Sequence, residues 1–220
     1  MKKMVLAALL AASAGPVSAA EVIVNGGFEQ PTVTGTCCTT TPTDPLPGWT
    51  VTAGDVNVVI GTFGSTNGNL AFEGSQYLDI VGQQPNGALE QDFATIAGQT
   101  YTVSFAYSHN LFGGAPAASG LFSVDVLGGV LTHMGGTTND LGWSTYLGQF
   151  VAQGSSATIA FSGAQSTDNA GLFLDAVSVT GAVPEPATWA MLILGLGMVG
   201  GAMRRQTARR GSAIAKIAFS

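Results

Sequence analysis

Residues 101–108 of the sequence read Tyr-Thr-Val-Ser-Phe-Ala-Tyr-Ser, with a large apolar side chain at every second position. In an extended chain successive side chains point to opposite sides, so the four large side chains share one face. This alternation predicts a β-strand with one face in a core and the other in water. Residues 122–126 and 158–162 repeat the pattern over shorter lengths.

The rest of the middle of the chain consists of similar short segments, and no stretch there keeps a helical period. Asn86-Gly87 and Gly98 are turn signals that precede two of them. Eight or nine short strands predict an all-β sandwich, because a single open sheet would leave an apolar face wet. A strand at each chain end favours a jelly roll. The further strands are predicted at residues 56–60, 76–81, 88–93, 146–151 and 172–180.

Charge is distributed very unevenly along the chain. All seven Lys and Arg residues lie near the termini, whereas all thirteen Asp and Glu residues lie between residues 21 and 185. Because this acidic stretch has no Lys or Arg to neutralise phosphates, nucleic-acid binding is not expected. Any carboxylate that is buried must instead find a backbone N–H group, a proton or a metal ion.

Residues 1–20 have the order of a secretory signal peptide. Lys2 and Lys3 precede an apolar run at residues 4–12, and small residues follow, so cleavage is expected after Ala19 or Ala20. The apolar run is shorter than the about 20 residues that span a membrane, which disfavours the alternative of an uncleaved anchor. We therefore expect export by the Sec machinery.

A second apolar segment, residues 187–203, contains no charge and is at the lower length limit for a transmembrane helix. Trp189 is placed where an interfacial aromatic would anchor this helix, and Arg204 and Arg205 mark its cytoplasmic end. These features predict a β-sandwich ectodomain at residues 21–182, held outside the inner membrane. They also predict a basic cytoplasmic tail at residues 206–220.

Pro184-Glu185-Pro186 stands directly before the apolar segment. The order of this tripeptide, Trp189, the apolar segment and the Arg204-Arg205 pair resembles the PEP-CTERM sorting signal over residues 183–205. The resemblance implies recognition by a membrane-embedded exosortase and cleavage near the tripeptide. The protein would then be anchored in the membrane transiently and pass to the cell surface or to the exopolysaccharide matrix of a biofilm. The length of the tail is a departure from the usual pattern.

Short motifs also run in order through the acidic domain. Their order is similar to that of the choice-of-anchor group of bacterial surface proteins and of related plant cell-wall proteins. The resemblance implies a galactose-binding-like jelly roll. Asp175-Ala176 stands where relatives often have two polar residues before the last strand. In chain order the motifs are Asn25-Gly26-Gly27-Phe28-Glu29, Pro47-Gly48-Trp49-Thr50-Val51, Tyr77-Leu78-Asp79, Leu89-Glu90-Gln91-Asp92-Phe93, Ala97-Gly98-Gln99-Thr100-Tyr101 and Leu174-Asp175-Ala176-Val177-Ser178-Val179.

The sequence contains no recognisable catalytic motif. His109 and His133 are the two histidines, and each is expected at the surface or at a strand end rather than beside a nucleophile. Glu90 and Asp92 share one face of a strand, but such a pair is expected to form a solvated acidic surface rather than a glycosidase site. We therefore expect a protein without enzymatic activity, and a glycoside-acting enzyme is the less favoured alternative.

Glu29 and Asp175 form the candidate metal site. By strand alternation Asp175 shares a face with Val177 and Val179, so it is expected to point inward, where no cation of the domain can pair with it. A jelly roll brings Glu29, near the other chain end, beside the last strand. In calcium-bearing carbohydrate-binding relatives the corresponding positions supply ligands, so the resemblance implies a structural Ca²⁺ held by Glu29 and Asp175. In the alternative, each carboxylate accepts backbone N–H bonds.

Sugar binding would use aromatic rings with hydrogen-bonding side chains beside them. The candidates are Tyr107, His109, Asn110 and Tyr146, near an irregular loop predicted at residues 108–120. Two further aromatics, Trp49 and Trp143, are expected to pack in the core. Cys37 and Cys38 are expected in a surface loop, either reduced or joined as a vicinal disulfide.

Together these features predict an exported, non-enzymatic surface or matrix protein that binds polysaccharide through its jelly roll. The alternative is a purely structural, acidic matrix component without a specific ligand.

Overall fold

The computed structural model describes residues 19–41, 45–114, 116–163, 171–182, 193–199 and 204. Of two compact units, the one over Ala19–Ala182 is an all-β sandwich, as the sequence predicts. Its described residues include a short 3-10 helix, Leu111–Gly113. The strands are β1 (Ala19–Glu21), β2 (Cys38–Thr41), β3 (Thr50–Ala53), β4 (Val56–Ile60), β5 (Gln76–Asp79), β6 (Ala88–Ala94), β7 (Thr100–His109), β8 (Ala117–Val124), β9 (Leu127–Met134), β10 (Ser144–Val151), β11 (Ser156–Gly163) and β12 (Leu172–Ala182).

Two antiparallel sheets form the sandwich. The larger sheet has seven strands in the order β10-β7-β12-β5-β4-β2, with β1 paired to β12. The smaller sheet has five strands in the order β3-β6-β11-β8-β9. The last strand, β12, is central in the larger sheet, because it pairs with β7 along most of its length, with β5 near its start and with β1 near its end.

The main core lies between the two sheets. The ring centroid of Phe105 on β7 lies 5.3 Å from that of Phe122 on β8 and 5.1 Å from that of Phe161 on β11. The alternation in residues 101–108 produces this arrangement, since it turns its large side chains toward the smaller sheet. Trp49 also packs in this core, 5.5 Å from the ring of Phe28, which confirms the prediction for that tryptophan.

A second apolar cluster covers the opposite face of the larger sheet. Val59, Tyr77 and Phe173 belong to it, and each has a strand neighbour that faces the main core. Leu70, Leu141 and the half-buried Trp143 pack over these residues, and Trp143 Nε1 donates to the Leu70 carbonyl at 2.8 Å. The larger sheet is therefore buried on both faces here, where the sequence predicts one wet face.

The motif at residues 25–28 ties the start of the domain to its last strand. Val177 N donates to the Gly26 carbonyl at 2.9 Å, and Trp49 Nε1 donates to the Asn25 carbonyl at 3.1 Å. Opposite the motif, β12 has a bulge between Asp175 and Ser178. The motifs at residues 25–29, 47–51 and 174–179, which are distant in sequence, therefore meet in space.

The strands predicted at residues 56–60, 76–81, 88–93, 146–151 and 172–180 are present as β4, β5, β6, β10 and β12. The irregular loop predicted at residues 108–120 is wrong in extent, because β7 continues to His109 and β8 begins at Ala117. The alternation at residues 122–126 ends early as well. Asp125, with a φ of 49°, and Val126 form the two-residue turn from β8 into β9.

The predicted signal peptide lies outside the described residues up to Ser18, and Ala19 and Ala20 belong to β1. Residues 193–199, inside the predicted transmembrane helix, are helical, and Arg204 is exposed. Among the described residues, no helix combines the length and the apolar character that membrane crossing requires. The sorting-signal residues that lie outside the described part are Pro184, Glu185, Pro186, Trp189 and Arg205, together with the tail at residues 206–220.

The contact between the residue 25–28 motif and β12 leads to a stability prediction. A Cβ on Gly26 would lie 1.8 Å from the Val177 carbonyl oxygen, so Gly26→Ala must displace backbone. We expect a loss of at least about 2 kcal/mol in the free energy of unfolding, measured with urea. The control is Gly154→Ala, whose Cβ would meet its nearest atom at 3.8 Å. Equal stability of the two variants would contradict the close approach.

Candidate functional site

A pocket of about 300 Å³ opens on the outer face of the larger sheet, where β2, β4, β5 and β12 lie side by side. Its wall combines buried polar side chains with aromatic rings and a disulfide. The lining residues are Cys37, Cys38, Asn57, Val59, Phe63, Asp79, Asn110, Phe112 and Phe173.

The pairing of the strands determines which polar side chains line this pocket. In Tyr77-Leu78-Asp79, Leu78 faces the main core, so Asp79 faces outward. Asp79 pairs with Asn57 on β4 and with Phe173 on β12. An acid, an amide and an aromatic ring therefore lie side by side across three neighbouring strands.

Asp79 is almost completely buried, at 2% exposure. Its Oδ1 accepts a hydrogen bond from Val81 N at 3.0 Å, and its Oδ2 accepts one from Asn110 Nδ2 at 2.7 Å. Burial raises the pKa of Asp79 to about 8 and the Asp55 charge adds to this, although the two hydrogen bonds act in the opposite direction. At neutral pH the group is therefore largely a neutral carboxylic acid, which can donate a hydrogen bond as well as accept one.

Three phenylalanines form the apolar part of the wall. Phe173 comes from β12, Phe112 from the 3-10 helix, and Phe63 from the segment that follows β4. The Phe63 and Phe112 rings pack edge to face, with centroids 5.1 Å apart. Gly64, with a φ of 66°, lies beneath Phe112, and a Cβ there would lie 2.4 Å from the ring.

Cys37 and Cys38 form a vicinal disulfide at the pocket. This is one of the two states that the sequence leaves open. Cys38 begins β2, and β2 pairs with β4, so the disulfide is fixed to the edge of the larger sheet. Its two sulfur atoms add a further apolar surface to the wall.

Of the four residues predicted to bind a ligand, the structure places only Asn110 in this pocket. Tyr107 and Tyr146 are half-buried against the main core, and the Tyr146 ring stacks on Phe105 at 4.9 Å. Both extend the apolar alternation of their strands, which explains why they pack inward.

His109 is fully buried, and its Nδ1 lies 2.8 Å from Nδ1 of His133. His133 Nε2 contacts the Gly142 carbonyl at 2.8 Å. Neither histidine lies at the surface, but each lies at or next to the end of its strand, which is the other position that the sequence predicts. The pairing of β9 beside β8 brings His133 to His109, and β9 has no clear signal in the sequence.

Asp175 and Glu29 bind the two ends of one turn, residues 72–76. Asp175 Oδ2 accepts hydrogen bonds from Phe72 N at 2.9 Å and Glu73 N at 3.0 Å, and its Oδ1 accepts one from Ala176 N at 2.7 Å. Burial raises the pKa of Asp175 to about 7, and the charge of Glu73 adds to this.

Glu29 makes a similar set of bonds at the far end of that turn. Its Oε1 accepts hydrogen bonds from Ser75 N at 2.7 Å and Gln76 N at 2.9 Å, and its Oε2 accepts one from the Ser75 hydroxyl at 3.0 Å. This is the hydrogen-bonded alternative considered from the sequence. Across the residues that the structure describes, no group of three or more His, Cys, Asp or Glu side chains is arranged to hold a metal ion.

Asp175 is buried for a reason that differs from the sequence argument. The bulge that contains Ala176, with a φ of 51°, breaks the alternation, so that both Leu174 and Val177 face the main core. Asp175 instead lies under the turn at residues 72–76. The sequence correctly predicts that the Asp175 carboxylate is buried without a cation. It wrongly predicts that Asp175 lies on the same face of the strand as Val177.

A second concave surface, of about 400 Å³, crosses the outer face of the smaller sheet. Its wall is apolar apart from hydroxyl groups, and Leu121 and Val130 are its large exposed side chains. Glu90 and Asp92 lie on the same sheet, and Asp92 is exposed and accepts a hydrogen bond from Thr158. This surface lacks the buried acid and the amides of the Asp79 pocket.

Comparison with protein families matches residues 21–180 to a family described as protein of unknown function, DUF642. The chain belongs to the DUF642 family. Residues 182–210 match the PEP-CTERM protein-sorting motif, which confirms the sorting signal predicted at residues 183–205. The motif marks this DUF642 protein as a secreted protein that is sorted to the cell surface, and it implies processing by an exosortase. Comparison with curated proteins finds no similar sequence.

Solved structures share the fold of this DUF642 domain. TmCBM61, solved in complex with β-1,4-galactotriose, has 18% sequence identity and a TM-score of 0.51, with 73% of this chain and 97% of that chain covered. A cyclase from Fischerella sp. TAU, solved in complex with 4-(1H-indol-3-yl)butan-2-one, has 16% identity and a TM-score of 0.51, with 74% and 97% covered. The predicted all-β sandwich is thereby confirmed, and it resembles the jelly-roll fold of a carbohydrate-binding module.

The burial of Asp79 predicts how stability depends on pH. Its folded pKa of about 8 lies above the value of about 4 that an unfolded chain gives, so the folded state holds this proton more tightly. The stabilisation is complete below about pH 4 and is lost as the pH rises through about 8. Asp79→Asn cannot ionise, so the unfolding free energy of the wild type relative to this variant should fall across that window. A difference that is constant with pH, measured by urea unfolding, would contradict a buried protonated Asp79.

Proposed function

We propose that this DUF642 domain is a non-enzymatic carbohydrate-binding module, displayed at the cell surface or in an extracellular matrix, and that its pocket at Asp79 takes one sugar residue of a polysaccharide. The observation that carries the proposal is the composition of that one pocket. It places a buried acid and two amides, Asn57 and Asn110, against three phenylalanine rings.

Sugars present both kinds of surface that this pocket offers. The hydroxyl groups of a sugar need donors and acceptors at fixed positions, and the Asp79 acid and the amides of Asn57 and Asn110 supply them. The C–H face of a sugar ring is apolar, and Phe63, Phe112 and the Cys37–Cys38 disulfide supply apolar surface. The volume of about 300 Å³ is at the lower end for ligand pockets, which fits a chain end or a single branch rather than a long glycan segment.

The comparisons support this proposal at a coarser level. The DUF642 fold resembles that of a carbohydrate-binding module, TmCBM61. The sorting motif directs the domain to the cell surface, where polysaccharides are the abundant neighbours. The Fischerella cyclase has a similar fold, so the fold alone does not distinguish binding from catalysis, and the pocket composition has to do so.

Two alternatives remain as outcomes of the same experiments. A structural matrix component would bind no glycan, and the acidity of the domain would serve solubility. A glycoside-acting enzyme would release products from a bound glycan. Among the described residues that line the pocket, Asp79 is the one carboxyl group, whereas glycoside hydrolysis uses two, so we favour binding without turnover.

The proposed sugar site predicts a specific pattern of variant effects. The processed protein, purified from cells, is measured by calorimetry against fragments of the host exopolysaccharide. Phe112→Ala and Asn110→Ala should each weaken binding by about tenfold or more, since each removes one kind of surface. The control is Leu121→Ala on the second concave surface, which should bind like the wild type. If no glycan binds the wild type, the structural alternative is favoured, and release of reducing ends would favour the enzyme.

We retain a structural calcium ion at Glu29 and Asp175 as a separate proposal. The proposal is supported by the lack of a positive side chain to balance these carboxylates. Asp175 is fully buried in a stretch without Lys or Arg, and a Cβ on Gly27 would lie 3.9 Å from Asp175 Oδ1 and 3.6 Å from Glu73 Oε1. The carboxylates of Glu29, Glu73 and Asp175 thus all lie at the turn of residues 72–76. The hydrogen bonds already made to Glu29 and Asp175 weigh against the ion, which prefers six to eight oxygen ligands.

Calcium binding at this turn should raise the melting temperature. We expect added Ca²⁺ to stabilise the wild type and a chelator to reverse the effect, while Asp175→Asn should remove the response. Asp92→Asn, a matched change at an exposed carboxylate, should keep it. A melting temperature that does not respond to Ca²⁺ would leave the carboxylates with their backbone N–H partners alone.

A further inference from the structure

Asp79 is a buried acid, and the described residues of its pocket include no Lys or Arg to pair with it. Its bonded donors are a backbone N–H and the amide of Asn110, which are both neutral. No Lys or Arg occurs between residues 21 and 185, so the folded domain has no permanent cation to bring to this group. A cation that enters from outside would therefore meet a carboxyl group with no competing charge.

The surroundings of Asp79 favour a cation in two further ways. Asp55, at 5% exposure, lies close enough for its charge to act on Asp79, so a second carboxylate contributes to the local field. The rings of Phe63, Phe112 and Phe173 line the same pocket. Aromatic rings attract ammonium groups through their quadrupole, and the attraction increases when the site excludes water.

The same features disfavour an anionic ligand. A uronate would have to place its carboxylate beside Asp55 and Asp79 without any positive side chain to hold it. A neutral sugar would gain the hydrogen bonds and the ring contacts, but it would gain no electrostatic attraction to Asp55 and Asp79.

We infer that the Asp79 pocket selects a sugar that carries a free, protonated amino group over its N-acetylated and uronic acid counterparts. This inference rests on the proposed sugar site and specifies its ligand class. The ammonium group lies against the Asp79 carboxylate and beside the phenylalanine rings, and the sugar hydroxyls bond the amides of Asn57 and Asn110.

An ion pair between the ammonium group and Asp79 forms only when Asp79 has lost its proton. Asp79 holds its proton at neutral pH in the free domain, because burial raises its pKa to about 8. An ammonium group that arrives favours the ionised form, so the Asp79 proton passes to solvent as the ion pair forms. Binding of an amino sugar therefore releases up to one proton, whereas binding of an N-acetylated sugar releases none.

The experiment compares three ligands of equal length on the processed wild-type protein. These are a glucosamine oligomer, the matching N-acetylglucosamine oligomer and a uronic acid oligomer. Calorimetry at about 0.15 M salt and about pH 6.5, in two buffers with different heats of ionisation, measures both affinity and proton release. We expect the glucosamine oligomer to bind about tenfold or more tightly than the other two, with proton release.

Asp79→Asn keeps the shape of the side chain but cannot ionise. Because an amide has a single acceptor oxygen, the variant keeps only one of the two bonds that Asp79 accepts from Val81 N and Asn110 Nδ2. In this variant the preference for the amino sugar and the proton release should both disappear. Asp92→Asn removes a charge of the same sign from the exposed face of the smaller sheet and should keep both. Proton release on the wild type tests the inference even if Asp79→Asn does not fold.

The outcomes separate this inference from the proposed function. Equal binding of the amino and N-acetylated oligomers, weakened by Phe112→Ala, would overturn the amino-sugar preference and leave the sugar site standing. A preference that survives Asp79→Asn and is abolished by salt would overturn it in favour of attraction to the acidic surface as a whole. Binding of none of the three, nor of the host polysaccharide, would overturn both.

Discussion

The fold of this domain depends on how it accommodates carboxylates without cations. Backbone N–H groups take the place of salt-bridge partners throughout the sandwich. Glu21 accepts bonds from Val22, Ile23 and Val179 N, and Gln84 N and Gln153 N donate to Asp55 and Asp125. Because these donors belong to fixed loops and strand ends, each acid holds a turn in place. Glu29 and Asp175 do so together at residues 72–76, and the turn they hold covers the outer face of the larger sheet.

The cover over the outer face of the larger sheet changes the environment of Asp79. A sheet with one wet face would keep Asp79 ionised in water, whereas the loops that bring Leu70, Phe63 and Phe112 over the sheet enclose it. The acidic composition and the apolar second cluster together therefore produce the one place in the described sandwich where an acid, two amides and three rings share a pocket. The function proposed for the domain follows from that enclosure rather than from any motif with known chemistry.

The sequence predicts the parts of the fold that repeat with a regular period, and it fails where the chain departs from that period. Residues 101–108 alternate cleanly and form β7 as expected, but β9 contains two glycines and is defined by its pairing with β8. The bulge at Ala176 reverses the face of Asp175, and a single inserted residue leaves no signal in composition. At the site, Asn110 was predictable because it follows a strand. Asp79, Asn57 and Phe173 were not, since their meeting depends on the register of three strands that are distant in sequence.

The pairing of β1 with the end of β12 bears on how the chain matures. Ala19 pairs with Ala182 and Ala20 with Gly181, so the residues expected to border signal-peptide removal lie directly against those that lead into the sorting motif. Cutting after Ala20 would leave Glu21 opposite Thr180 as the last pair of that ladder. Gly181 would then keep its pairing with Tyr101 on β7 but lose its pairing with β1, and Ala182 would lose its pairing with Ala19. Removal of the signal peptide would in this way free one edge of the residues that precede the sorting motif.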